Sequence, residues 1–538
     1  MTRREAWLSA AAIFIVALVV RAWFASQIVF PELQDSAYYI GVARNLLEGR
    51  GLVSDALWSY QTPPLVFPRP AFEVWLPLPS LLATLPMAVL GATFAAARWA
   101  AVVAGAIVPV LAWRLAADVA AERGLSATRA RTLAIGTGLT TAIYLPLVLH
   151  SASPDSTMPF TVLALAACLL MSRLARESGP VRLADPRVIT LGVLIGLAAL
   201  TRNDAIWLGL IWLVVGWRAG RLRLVAVVGT VAVLVFTPWM VRDWAVFGSP
   251  LPGQAVANAF SVTGLDIFAW SDPPTLSRYL AVGPARLLQM RAEGIAHNLL
   301  TVLLLPGLPL SLIGLLALPW QARGAAARPV VLLAGTTFLV TSLIFPVATT
   351  WGTFLHAAGP AQVLIVLSAL LALDSAIARL GARLGWTRPV AWLGPALGIF
   401  GSALFSAVLL PGFAAGSRGT ATLYEELDRR MATIGHPLDA SAGPVITDFP
   451  IWLAETSRIP ALALPDETPT DVLDLAHDPR FSGTHLLVVV EPHHGRWPAV
   501  LDTSTEGAAC FRELDLGPGP AGTLDPLRGV RAFEIVCP

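Results

Sequence analysis

The sequence predicts a polytopic α-helical membrane protein of about eleven spans, with a small α/β domain on its outer face. Three observations predict it. Of 538 residues, 56% are hydrophobic and 13% charged, and the mean hydropathy is +0.68, values that a water-soluble globular chain does not reach. The basic residues are all arginine, 37 in number, and every second connection between apolar segments is basic, as the bias of basic loops toward the cytoplasm requires. At about residue 418 the composition turns polar and acidic: residues 418–538 hold 9 Arg against 18 Asp and Glu, whereas residues 1–417 hold 28 Arg against 17 acids. With a net charge of +2, no nucleic-acid partner is expected.

Residues 1–23 open with Arg3 and Arg4 and continue as an apolar run without a small-residue cleavage site before Trp23. This reads as an uncleaved anchor with its N-terminus in the cytoplasm, and residues 24–94 then form a first outer loop. The apolar stretch 74–93 is interrupted by Pro77, Pro79, Pro86 and Gly91, which suits a broken or re-entrant pair of short helices. If it does not cross, the later spans fall at 95–113, 132–149, 157–172, 188–200, 204–217, 224–240, 298–318, 329–348, 360–377 and 391–411. Every inner loop is then basic: Arg114, Arg123, Arg129 and Arg131; Arg173, Arg176, Arg182 and Arg187; Arg218, Arg221 and Arg223; Arg323 and Arg328; Arg379, Arg383 and Arg388. A crossing at 74–93 would invert them all. The segment 188–217 reads as a tilted hairpin with Thr201-Arg202-Asn203-Asp204 at its outer tip, and 241–297 as a large outer loop. Residues 1–417 thus form a membrane domain and 418–538 an outer domain, with strands at 444–448 and 485–490 and helices at 421–431 and 470–478. Asp448 and the turn holding His493 and His494 read as structural. Cys510 and Cys537 either bridge in an oxidising compartment or stay free thiols, and three cysteines in all argue against a cysteine metal site.

The stretch 31–51 places a carboxylate, Asp35, directly after the anchor, on a short amphipathic helix closed by Gly49 and Gly51. Such a helix lies on the membrane surface and holds Asp35 at the boundary of lipid and water, the depth at which chemistry on a lipid-borne headgroup needs its acid or base. A helix-capping carboxylate is the alternative. On the same face the topology collects Arg69, Asp155, Arg202, Asp204, Arg242 and His356. Ionisable groups at the edge of a membrane bundle are usually functional or paired, and converging arginines suit a phosphate. Each also has a plainer reading: Asp155 as a cap after Pro154, Arg242 as an interfacial anchor beside Trp239 and Trp244, His356 as an interface histidine.

The order of these features resembles the C-type glycosyltransferase superfamily, multispanning enzymes that use polyprenyl-phosphate sugars, in particular the branch of aminoarabinose transferases and protein O-mannosyltransferases. The resemblance covers about residues 1–410. It rests on Asp35, Tyr38 and Tyr39 with the pair Gly49 and Gly51; Arg69-Pro70 before Trp75; Ala96-Ala97-Arg98; Ser153-Pro154-Asp155; Gly196 to Thr201-Arg202; and Pro238-Trp239 with Arg242 and Phe247-Gly248. The sequence departs from the family where Ser36 follows Asp35 instead of a second acid, and where Arg69 replaces the more frequent lysine. The resemblance implies inverting transfer of a sugar from a polyprenyl-phosphate donor to a protein, lipid or cell-envelope glycan, at the outer face of a bacterial-type inner membrane. It implies Asp35 as general base and Arg69, Arg202, Arg242 and His356 about the donor phosphate. Asp155 then orients the acceptor, holds a basic partner, or binds a divalent metal with Asp35, and Glu32, Tyr38 and Tyr39 line the substrate pocket. A transporter or lipid flippase would place charges near mid-span and show pseudo-symmetric halves; neither is seen. A non-catalytic scaffold would leave residues 31–51 without a purpose.

Overall fold

The computed structural model describes residues 2–179, 181–386, 390–439, 441–491, 494–519 and 524–537; Arg388 and His493 lie outside them. The chain begins with α1 (Arg3–Gln27), started by a Thr2–Glu5 capping box. There follow α2 (Gln34–Leu47), α3 (Leu78–Leu90), α4 (Phe94–Ala97), α5 (Trp99–Glu122), α6 (Ala127–Ile143), α7 (Leu145–Leu149), α8 (Thr157–Arg176), α9 (Pro186–Ala199), α10 (Ile206–Arg218) and α11 (Leu222–Phe247). After short helices α12 (Gln254–Ala257) and α13 (Leu276–Ala281) come α14 (Gly283–Ala296), α15 (Leu310–Gln321), α16 (Arg328–Leu343), α17 (Gly359–Arg383) and α18 (Leu393–Thr433). The expected spans fall on helices, and 298–318 takes in a π-helical stretch, His297–Leu304, ahead of α15. Among the described residues, six helices have the length and apolarity to cross a membrane: α1, the run Phe94–Glu122, α8, α11, α17 and α18. Helices α9, α15 and α16 are shorter apolar helices. The chain is a multi-pass membrane protein.

Helix α3 is one 13-residue helix rather than the expected pair. Pro77 and Pro79 sit at its start, where a missing N–H costs nothing, so only Pro86 is an interior exception. It stays at one end of the bundle: Ser80 Oγ donates to the Tyr39 carbonyl at 3.0 Å. Arg98, where α5 begins, donates to the carbonyls of Ala25 and Ile28 at 2.6 and 2.8 Å, the place where α1 ended. The basic loops meet at the opposite end. Arg129 pairs with Asp374 at 2.6 Å and Arg173 with Asp118 at 3.0 Å, and Glu122 accepts the N–H groups of Ala325 and Ala326 at 2.6 and 2.8 Å.

The polar region at the first end is built from both halves of the chain. Strand β1 (Val53–Ser54) pairs with β3 (Arg69–Pro70), and between them lies β2 (Ala56–Leu57). The remaining strands are β4 (Val445–Thr447), β5 (Ala461–Ala463), β6 (Leu486–Val489), β7 (Phe511–Leu514) and β8 (Arg531–Ile535), with α19 (Pro450–Ser457) and α20 (Pro469–Ala476) between them. They form a six-stranded sheet in the order β2-β5-β4-β6-β8-β7. Strands β2, β5, β4 and β6 are parallel, and β8 and β7 run antiparallel at one edge. The other edge strand, β2, therefore comes from the first loop, with Ala56 opposite Ala461. Helix α18 runs 41 residues, straight through the composition change near 418, and Ser417 Oγ accepts the N–H groups of Val29 and Phe30 at 2.9 Å each. Cys510 and Cys537 are disulfide-bonded, which resolves the alternatives left by sequence.

Two close contacts set how the helices of the bundle pack. Gly192 and Gly196 let α9 lie directly on α11: a Cβ at Gly196 would come within 2.6 Å of Val235 Cβ and 2.8 Å of the Ala232 carbonyl oxygen. Small residues four apart allow this close approach where lipid offers no hydrophobic drive. At the junction of α6 and α7, Pro146 has no N–H for the Ala142 carbonyl four residues back. The guanidinium of Arg21, buried in α1, takes that carbonyl at 2.7 Å and donates to Ser151 Oγ at 3.0 Å. A buried charge inside an apolar helix is thereby spent on a broken helix end. We expect Arg21→Met to destabilise the protein by about 1–3 kcal/mol for each polar group it leaves unsatisfied. Thermal unfolding in detergent reads this, and an unchanged Tm would contradict the assignment.

Candidate active site

At the sheet-bearing end, the loop between α7 and α8, the tip between α9 and α10, and the turn before α17 converge on the N-terminus of α2. Asp155 ends the first of these as a buried carboxylate. Its Oδ1 accepts the backbone N–H of Thr157, the first residue of α8, at 2.8 Å and its Oδ2 the Thr157 hydroxyl at 3.0 Å. It also meets His356: Nδ1 of the imidazole lies 3.3 Å from Asp155 Oδ2 and 2.9 Å from Thr157 Oγ1. On the ring's other side, Nε2 is 3.4 Å from Oδ2 of Asp35. One histidine thus lies between two carboxylates brought from separate parts of the chain. Gly352 makes room for it: its φ is +114°, and a Cβ there would stand 3.0 Å from His356 Nε2.

The electrostatics follow from that sandwich. Burial raises the Asp35 carboxyl above its ordinary range; His356 and Arg202 oppose the rise, Asp155 adds to it, and a hydrogen bond from Trp75 opposes it. Burial also penalises the Asp155 charge, but hydrogen bonds and charge from His150 and His356 outweigh it and leave Asp155 well below the carboxylate range. For His356, burial disfavours the imidazolium, and the two aspartates more than compensate, so its pKa lies above the usual value. The lower carboxylate stays charged and holds the histidine. The higher one, 19% exposed at its side chain, faces open space.

That space is a cavity of about 1180 Å³. Its polar end is walled by Glu32, Asp35, Tyr39, Trp75, Arg202 and His356, and its other end by apolar residues of α9, α10, α11 and α16, among them Ile195, Trp212, Val233 and Val340. Arg202 sits at the junction. Its Nε donates to Asp204 Oδ2 at 2.9 Å, Nη1 to Ser156 Oγ at 3.0 Å and Nη2 to the Thr353 carbonyl at 2.9 Å, which leaves a second N–H on Nη1.

Two arginines named from sequence are elsewhere, and Tyr38 is displaced from its expected role. Arg69 is fully buried, donating to the carbonyls of Ser59 and Thr62 at 2.6 and 2.9 Å and pairing with Glu73 at 3.1 Å. It braces the first loop behind the cavity wall, because Glu73 four residues on and the loop carbonyls claim its fork. Arg242 pairs with Asp243 at 3.0 Å and lies 4.8 Å over the Trp239 ring and 5.2 Å over Phe247, an aromatic anchor outside the cavity lining. The Tyr38 hydroxyl accepts the Phe72 N–H at 2.7 Å and supports the loop instead of lining the cavity. Glu32 and Tyr39 do line it.

Sequence reading placed Trp75, which bonds Asp35, only in the motif after Arg69-Pro70, and gave no role to His150, whose Nδ1 lies 3.7 Å from Asp155 Oδ2. The one signal for His150 is its place five residues before an acid. For a metal, the geometry moves the expected donor set away from Asp35. Among the described residues, His150, Asp155 and His356 have ligand atoms all within 4.8 Å of one another. Two imidazoles and a carboxylate fit a divalent cation.

The same fold is found in solved structures of other proteins. Two solved structures carry the comparison. ArnT from Cupriavidus metallidurans, bound to undecaprenyl phosphate, aligns over 98% of this chain and 98% of its own with a TM-score of 0.58 and 14% identity. The archaeal oligosaccharyltransferase AglB from Archaeoglobus fulgidus, in complex with an inhibitory peptide and a dolichol-phosphate, aligns over 95% of this chain and 73% of its own with a TM-score of 0.56 and 12% identity. No protein-family model matches the sequence, and no curated protein matches it. At such identities the likeness is one of fold.

The sandwich makes a direct prediction. In metal-free buffer, His356 followed by histidine-labelled NMR titrates above 6.5, and Asp35→Asn moves that titration down, since a carboxylate charge favouring the imidazolium is removed. A titration insensitive to Asp35→Asn would mean the two groups are not coupled.

Proposed function

We propose that the protein transfers a sugar from a polyprenyl-phosphate donor to a hydroxyl acceptor at the sheet-bearing face of the membrane, with inversion at the anomeric carbon. That face is the outer one of a bacterial-type inner membrane, with the N-terminus inside. The observation that carries the proposal is the cavity itself. It joins an aspartate of raised pKa, Asp35, to an arginine and an apolar channel between membrane helices. The prenyl chain occupies the channel, and its phosphate lies at Arg202 with His356 beside it.

In the reaction Asp35 takes the proton from the acceptor hydroxyl as that oxygen bonds to the anomeric carbon from the side opposite the phosphate. The bond from the anomeric carbon to the phosphate oxygen breaks, and the lipid phosphate leaves with the electron pair. A base is most effective when its pKa is drawn toward the working pH, which burial does for Asp35. The charge that grows on the leaving phosphate meets the free N–H of Arg202, a donor already oriented by Asp204, Ser156 and Thr353. Asp155 holds His356 in place and does not touch the reacting atoms. His150, Asp155 and His356 would hold a divalent cation, which when bound supplies positive charge toward a phosphate.

The AglB and ArnT structures, which contain dolichol-phosphate and undecaprenyl phosphate, support a lipid-phosphate ligand for this fold. The test uses membranes containing the full chain and radiolabelled polyprenyl-phosphate sugars. Asp35→Asn should lower transfer by at least ~10²-fold, the usual range for a lost general base. Transfer at wild-type rate in that variant would remove Asp35 as the base. Arg202→Gln should lower transfer by ~10²-fold or more through loss of a charge-stabilising donor, whereas Arg242→Gln, outside the cavity, should leave it within a few-fold.

A further inference from the structure

The long segment between α11 and α14 walls one side of the cavity, with Gly264, Ile267 and Phe268 among the lining residues. It lies close on the turn before α17. A Cβ at Gly264 would come within 2.2 Å of Trp351 Nε1, so the loop backbone rests directly against that indole. Phe268, 3% exposed, has its ring centroid 5.7 Å from that of Trp351 and 5.9 Å from that of His494 in the C-terminal region. Trp351 lines the cavity in its turn, and the chain runs on from it through Gly352 and Thr353 to His356. Two residues further along the loop, Trp270 sits 5.2 Å from the ring of Tyr60 and 6.3 Å from that of Phe481, with the Arg480 guanidinium 5.4 Å over it.

The tie from the C-terminal sheet to this loop centres on one buried carboxylate. Glu467 follows the parallel strand β5, on the connection to α20, at the strand end where sheets of this kind present their functional groups. Its backbone is fixed from behind. The Glu467 carbonyl accepts the indole N–H of Trp497 at 3.1 Å, and the next residue, Thr468, opens the capping box of α20. The side chain reaches across to the loop. Oε1 accepts the backbone N–H groups of Trp270, Ser271 and Asp272 at 3.0, 2.9 and 3.0 Å, and Oε2 accepts that of Ser271 at 2.9 Å. Three successive N–H groups thus converge on one anion, and bonds to an ionised oxygen are roughly twice as strong as neutral ones. The Ser271 side chain adds a bond to Asp471. The loop is also closed on itself: Arg278 of α13 pairs with Asp266 at 2.8 Å and with Asp272 at 3.0 Å.

We infer that Glu467 is a positioning residue: it latches residues 264–272 to the C-terminal sheet, and so holds the loop wall and Trp351 where they meet a ligand in the cavity. The inference rests on the transferase reading for its effect on turnover, whereas the latch is testable without it. Loosening the loop lowers the fraction of molecules with the cavity walled, and apparent affinity falls by that fraction while the reacting groups are unchanged. Full-length protein in nanodiscs is compared with two variants. Glu467→Met keeps the side-chain length and loses both acceptors; Glu467→Gln keeps one oxygen for the three N–H groups. For the polyprenyl-phosphate sugar that the wild type uses, Glu467→Met should raise KM about tenfold with kcat within about twofold, and Glu467→Gln should fall between it and wild type. Trypsin should nick the chain after Arg278 faster in the same order, as read from fragment masses. Equal behaviour of the two variants, nicking unchanged in both, or a lowered kcat at unchanged KM, the mark of fewer folded molecules, would overturn the inference. So would nicking in the expected order with KM unchanged, since the latch would then not shape the cavity. Nicking in that order with no transfer from any donor would leave the latch standing and overturn the transferase reading instead.

Discussion

The histidine between two aspartates is the interaction on which the rest depends. Three ionisable groups within a few ångströms are unstable unless their charges alternate, and here they do: Asp155 stays ionised, His356 is drawn toward the cation, and Asp35 is left with the raised pKa. The order is set by what each carboxylate is given. Asp155 receives a backbone N–H, a hydroxyl and two imidazoles; Asp35, in the first turn of α2, receives one indole N–H, a share of one imidazole and the more distant charge of Arg202. Asymmetry of environment, applied to two identical side chains, is what assigns them different work.

Holding that arrangement takes rigid support, and the support comes from devices that spend charge inside an apolar bundle. Arg21 serves the carbonyl that Pro146 leaves free and ties down Ser151, four residues ahead of Asp155. Arg202 is gripped on three of its nitrogens. The Arg44 guanidinium is paired with Glu455 of α19, which fastens the second half of α2 to the C-terminal sheet. None of these side chains is exposed enough to be a solubility feature, and each one locks a segment whose end carries a cavity residue. In a bilayer every such group needs a partner, so the same requirement that makes them expensive makes them accurate positioners.

Much of this was legible in sequence. Composition and the rhythm of arginines were enough for the class, and the rule that ionisable groups gather at one face was enough to nominate Asp35, Asp155, Arg202 and His356. What failed was partner choice. Arg69 and Arg242 lie on the right face, but each has an acid nearby in the chain, Glu73 at i+4 and Asp243 at i+1, and those took them. That signal was present and outweighed by the attraction of a shared phosphate. Strand β2 was invisible for a different reason: two residues, Ala56 and Leu57, carry no periodicity, and their partners lie in β5, near the other end of the chain.

The borrowed edge strand also bears on how the protein is made. Ala56 and Leu57 leave the ribosome long before Ala461 and Leu462, and until then the row of backbone groups on this segment has nothing to pair with. Loop closure over such a separation is among the slower events in folding. The early loop, which carries the helix with Asp35, must therefore wait for the last part of the chain to be delivered. Biosynthesis itself acts as a timer: the cavity can be finished only after the last part of the chain is made, so a chain stalled midway has no assembled site.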